Sequence, residues 1–184
     1  MKKLSLRTRV LTGTLVAGAL AAGTFGTVSA QAAAPAAAPA AITADAGNAN
    51  LRQSTHLTIE AATKAAQAAL DAAEKENQRV SVAVADRNGT TLVTLRGDGA
   101  GPQSYESAVK KAYTAVSWNA PTSELAKRLT NAPTLKDIPN TLFLAGGAPV
   151  TAKDAPIAGI GVAGAPSGDL DEKFAQAGVA TLAK

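Results

Sequence analysis

The oxygens and amines that could hold a ligand gather in one stretch of the chain, Ser104–Thr122, SYESAVKKAYTAVSWNAPT. It carries both tyrosines, Tyr105 and Tyr113, the single tryptophan, Trp118, and the adjacent pair Lys110 and Lys111. At helical spacing Tyr105, Ala108, Val109, Ala112 and Val116 form an apolar stripe, while Ser107, Lys111, Thr114 and Trp118 run along a neighbouring face. One side packs; the other is free to hold something.

A non-covalent porphyrin needs an apolar slot, cations for its propionates and one oxygen or nitrogen near iron. Lys110, Lys111, Tyr113 and Thr114 offer the last two from a single helix. The same face serves equally as a solvated flank with long side chains laid along it. Other chemistries fall away more sharply. There is no cysteine, which excludes thiolate zinc, iron–sulfur clusters and covalent haem attachment. The only methionine is the initiator, and the only histidine is His56. A Ser-His-Asp hydrolase would need that histidine as its base, yet it stands at the end of a tether and no serine lies in a G-x-S-x-G elbow. It reads as a surface residue, and one histidine makes no zinc site.

The run from Gly159 to Gly164, GIGVAG, matches the dinucleotide pattern G-x-G-x-x-G. Those glycines fall within an expected strand, and no parallel βαβ unit follows. They read instead as places where a helix approaches a strand closely.

Lys2, Lys3, Arg7 and Arg9 precede an apolar run, Val10 to Phe25, and the small-residue site Val28-Ser29-Ala30, so residues 1–30 read as a secretory signal peptide. The arginines are not adjacent, which does not indicate a twin-arginine route. The alternative, a retained anchor, needs a longer apolar run. All fourteen acidic residues lie beyond this segment and fourteen of the eighteen basic ones do too, so the remainder is formally neutral. The net charge of +4 therefore belongs to the leader, and no nucleic-acid partner is expected. An aromatic content of 3% also leaves little for base stacking.

Residues 31–50 are mostly alanine with Pro35, Pro39 and Gly47, and residues 31–54 read as a disordered tether with little to bury. Residues 55–184 are roughly 130 in number, the size of one domain. Within them Thr58 is a helix cap for Ile59 to Asn77, with Ile59, Ala62, Ala66, Ala69, Leu70 and Ala73 toward the core. Val80 to Leu95 reads as a hairpin around Asp86–Gly89. A central helix is expected from an N-cap at Ser104 to Asn119, then a short one capped by Thr122. Thr141–Ala145, Ala148–Thr151 and Ile157–Ala163 read as three strands, and Asp169–Leu182 as the last helix. That order describes an α+β protein, an antiparallel sheet with helices packed on it.

Two segments, SYESAVKKAYTAVSWNAPTSELAKRL and DIPNTLFLAGGAPVTAKDAPIAGIGVAGAPSGDLDEKFAQAGVA, make the chain resemble the GlcG/HbpS, or haem-degrading, family from about Leu57 to Leu182. The resemblance implies a profilin-like α/β/α sandwich around a five-stranded antiparallel sheet. It also implies a homo-oligomer, non-covalent haem and, in HbpS-like members, iron ions and signalling to a membrane sensor histidine kinase. The family's K-A-x-T-A motif falls on Lys111 and Thr114, and the threonine that contacts haem iron falls on Thr114. A hydroxyl is a weak iron ligand, which suits a sensor or scavenger better than an electron carrier.

Iron binding in HbpS-like proteins goes with D/E-x-x-E pairs, which here are Asp71 with Glu74 and Asp169 with Glu172. At i,i+3 each pair sets two carboxylates on one helical face. Asp169 and Glu172 also fit a capping box, with Asp169 as N-cap, that needs no metal. The expected function is a secreted, oligomeric haem-binding protein, an accessory to a sensor of haem or redox stress, and no catalytic residue is assigned. The alternatives are an enzyme acting on haem or a small organic acid, and a cofactor-free interaction module.

Overall fold

Six mostly small or β-branched residues, SVAVAD, make the first strand, one of the two central ones of its sheet, because alternate side chains must fill two different faces. The computed structural model describes residues 44–183; the expected signal peptide and residues 31–43 of the expected tether lie outside them. In chain order the elements are a 3-10 turn (Asn48–Asn50), α1 (Ile59–Lys75), β1 (Ser81–Asp86), β2 (Thr91–Arg96), α2 (Pro102–Trp118), α3 (Thr122–Arg128), a second 3-10 turn (Pro133–Asp137), β3 (Gly147–Ala152), β4 (Ala155–Ala163) and α4 (Gly168–Ala180). The strands pair antiparallel throughout in the order β2-β1-β4-β3.

On one face Val82 and Val84 of β1 join Ile160 and Val162 of β4, and α1 and α4 cover them with Ala62, Ala66, Ala69 and Phe174. On the other face Ala83 and Ala85 meet Ala108 and Ala112 of α2. The molecule thus has three layers, with α2 alone on its side. Its axis can come so near because Gly159 and Gly161 present no side chain: a Cβ at either would collide with the Ala112 or Ala108 carbonyl. This is the close approach expected of GIGVAG, and it excludes a phosphate-binding turn there.

Among the described residues four strands form, not five. Thr141–Ala145 runs as a loop because its donors are taken elsewhere: Leu142 N–H by the Thr114 hydroxyl at 2.8 Å and Leu144 N–H by the Leu142 carbonyl at 2.9 Å. With those amides committed, no ladder can extend along the segment.

Helix starts also differ from the sequence reading. α2 begins one turn's fraction earlier, at Pro102, whose fixed φ suits a first helical position. Ser104 is therefore inside the helix, its hydroxyl 2.8 Å from that of Ser81. α3 is preceded by Pro121 rather than capped by Thr122. α4 is capped by Ser167, which accepts from Leu170 N–H, so Asp169 lies in the first turn and not at the cap. In α1, Thr58 does cap, but Ile59 is exposed and Ala65 is buried in its place.

Candidate functional site

α2 carries four candidate ligand residues, and its helical rotation divides them. Lys110 and Tyr113 face outward with Glu106 and Val109; Lys111 and Thr114 face inward. Successive residues are about 100° apart around a helix, so two neighbouring lysines take opposite environments.

The outward pair borders a cleft of 220 Å³ lined by Gly89, Glu106, Val109, Lys110, Tyr113 and Asn140. The Tyr113 ring lies against Gly89 in the β1–β2 turn, where φ is +82° and a side chain would strike the ring. Lys110 sits 3.5 Å from Glu106 and keeps 40% of its side chain exposed. The cleft thus combines an aliphatic wall, a phenol and an ammonium, which is the donor set that a porphyrin's edge and propionates require.

The inward pair belongs to a polar network instead. The Lys111 ammonium, 2% exposed, donates to Asp171 Oδ2 at 2.8 Å and to the Val162 carbonyl at 2.9 Å. Asp171 Oδ1 accepts from Ala165 N–H at 2.9 Å. Burial pushes the Asp171 carboxyl above the usual aspartate range, against the pull of the Lys111 ammonium and of the Ala165 and Gly164 amides. The Thr114 hydroxyl is wholly buried, donating to the Lys110 carbonyl at 2.7 Å and accepting from Leu142 N–H. Both residues thus have their polar atoms occupied within this chain, unlike the free ligand-holding face expected for them. Trp118 is also committed, edge-on to Phe143 with ring centroids 5.1 Å apart.

The carboxylate pairs differ as well. Glu74 is exposed at the end of α1, and Asp71, half-buried, accepts from the Gln67 amide at 2.7 Å. Glu172 is buried, with one oxygen bonded to the Ser123 hydroxyl at 2.6 Å and the other to Ser123 N–H at 2.9 Å and Gly146 N–H at 3.3 Å. It ties α4 to α3 and to the loop before β3, while Asp169 points to solvent. No cluster of three or more His, Asp or Glu capable of holding a metal occurs among the described residues.

Asp171 and Ser123 went unnoticed in the sequence because their roles depend on contacts 60 and 49 positions away. The only local sign was an aspartate at the fourth position of a helix, within its first turn, which the dipole explains without a partner.

Comparison with known proteins agrees with this architecture. A crystal structure of a double mutant of HbpS from Streptomyces reticuli superposes with a TM-score of 0.77 at 75% identity, covering 79% of this chain and 100% of that one. A second HbpS crystal structure gives 0.76 at 76% identity, over 77% of this chain and 100% of the other. A PduOC:heme complex gives 0.63 at 27% identity, over 68% and 94%. No curated protein sequence matches the chain. The model of the family described as haem degrading protein HbpS-like matches residues 57–180, from just before α1 to the end of α4, so the chain belongs to that family.

Proposed function

We propose that the protein binds haem reversibly on the outward flank of α2, with Tyr113 and Lys110 as the contacting residues. The observation that carries this reading is that Lys110, Tyr113 and Val109 line one surface cleft. Its 220 Å³ falls short of the roughly 300–1,000 Å³ of a typical cofactor pocket. A second copy of the chain therefore closes the far side, and the reading includes a homo-oligomer. The exposed side chains of Tyr105 and Leu144 support such an assembly. A relative crystallised as a heme complex supports the choice of ligand.

In this reading the Lys110 ammonium meets a propionate and Val109 packs against the ring edge. Tyr113 would offer its phenol oxygen as the iron donor, a stronger one than a threonine hydroxyl. Thr114 and Lys111 contribute by position: one fastens the loop before β3 to α2, the other fastens α4. Haem, when bound, would supply a redox-active iron, which suits a sensor of haem or redox stress. The reading extends to export, supported by the pattern of residues 1–30, and to a membrane sensor histidine kinase as partner, supported by the family resemblance. It also includes weak binding of ferric or divalent iron by Asp71 and Glu74, the pair whose oxygens remain accessible.

Adding hemin to the purified protein should shift the Soret band saturably, with Tyr113→Phe changing the band's position and Lys110→Ala weakening the affinity. A wild-type spectrum indistinguishable from free hemin overturns the reading.

A further inference from the structure

The segment that enters α1 runs past the β1–β2 turn, and three side chains meet there in sequence. Ser54 Oγ lies 2.6 Å from His56 Nε2, and His56 Nδ1 lies 3.6 Å from Asp86 Oδ2. Asp86 is itself fixed, because its Oδ1 accepts from Asn88 N–H at 2.8 Å and from Thr90 N–H at 2.9 Å. The carboxylate at Nδ1 favours the tautomer with its proton there, which leaves the Nε2 lone pair for the serine hydroxyl. The 3.6 Å separation is longer than a hydrogen bond, and catalytic contacts of this kind are commonly loose before substrate arrives. Beside the serine is a cleft of 270 Å³ lined by Arg52, Ser54, Arg87 and Asn88.

The order of atoms, hydroxyl to Nε2 and Nδ1 to carboxylate, is that of an activated nucleophile. No elbow motif announces it, since the relay is assembled by a tail folding back on a hairpin. Two guanidiniums at the cleft give it a charge preference, for an anionic group on the substrate. None of this uses α2 or its flank.

We infer that Ser54, His56 and Asp86 form an acyl-transfer site that hydrolyses small esters bearing a carboxylate, which Arg52 and Arg87 engage. The Ser54 oxygen bonds the acyl carbon while its proton passes to His56 Nε2. The bond from that carbon to the leaving oxygen breaks as Nε2 returns the proton to it, releasing an alcohol. Water then adds to the acyl carbon and gives a proton to Nε2; the bond to Ser54 breaks, the serine oxygen regains the proton, and a carboxylic acid departs. Asp86 touches no substrate and acts through the imidazole as a positioning residue.

The full chain should release nitrophenol from 4-nitrophenyl hydrogen succinate faster than from 4-nitrophenyl acetate. Ser54→Ala and His56→Ala should each lower the rate on the order of 100-fold, and Thr55→Ala should leave it unchanged. Arg52→Ala with Arg87→Ala should abolish the preference for the anionic ester. Asp86→Asn should lower kcat with KM unchanged. Diisopropyl fluorophosphate should label the wild-type protein on the Ser54 peptide, a readout that no substitution can confound through misfolding. A Ser54→Ala protein with the wild-type rate, or labelling that falls elsewhere or nowhere, overturns the inference, and either result leaves the haem reading untouched.

Discussion

The two flanks of α2 are built from nearly the same residue types and do opposite work. Outward, Lys110 and Tyr113 border an open cleft with a weak ion pair to Glu106 as the only charged contact among the described residues. Inward, Lys111 and Thr114 are sealed, each with at least two hydrogen-bond partners. A lysine in water is worth little to the fold and is free to meet a ligand. A lysine in the core is expensive to desolvate and persists only where Asp171 answers it. Stability and ligand chemistry are thus segregated across one turn of helix.

Breaking the inward flank should have the largest effect. Lys111→Met leaves the Asp171 carboxylate buried without its cation, and a loss of about 3–5 kcal/mol is expected in chemical denaturation. Adding Asp171→Leu to that variant should recover most of the loss, because removing both charges removes the desolvation cost. A double variant as unstable as the single one would show that geometry, not charge, sets the penalty.

Next is Thr114→Val, which leaves the half-buried Leu142 N–H without its acceptor and should cost about 1 kcal/mol or somewhat more. Hemin titration should then separate the flanks: Thr114→Val, at a concentration where it remains folded, should bind hemin as the wild type does. A loss of binding equal to that of Tyr113→Phe would break the division, since it would give the threonine a direct part in the ligand site.

The Asp171 carboxyl supplies a pH test. Its folded-state value is raised by burial, so its protonated form is favoured by folding, and the stability it contributes is complete below the ordinary aspartate value of 3.8. That contribution is lost as pH rises through the raised folded value. The stability of the wild type relative to Asp171→Asn should therefore decline as pH rises through this window, measured by denaturation at a series of pH values. A gap that grows with pH would mean that attraction to Lys111 outweighs desolvation.

The smallest effect belongs to the outward flank. Lys110→Ala should change stability by no more than about 0.5 kcal/mol, since an exposed i,i+4 pair contributes little. Its hemin affinity should fall nonetheless, and a stability loss as large as that of Lys111→Met would erase the contrast.

Much of the fold was readable along the chain because it is local. The alanine period places α1, valines at every second position place β1, and Pro121 ends α2 just where the residue before a proline resists the helix. The strand expected at Thr141–Ala145 failed for a non-local reason: the hydroxyl that takes the Leu142 amide is 28 positions away. Asp169 and Glu172 looked equivalent as carboxylates on one face, yet Glu172 is consumed by Ser123 and Gly146 while Asp169 is free.

By itself, then, the chain's order of residues determined that α2 would be an amphipathic helix gathering most of the candidate ligand chemistry, that cysteine-based sites were impossible, and that GIGVAG would serve packing. It left undecided which of two adjacent lysines would be buried, because helical periodicity separates their directions without saying which direction is inside. Tertiary structure decided that, by bringing Asp171 from 60 positions away to the one face of α2 where an ammonium could be sealed. The same folding carried Asp86 to His56, a meeting of hairpin and tail that no spacing in the sequence records.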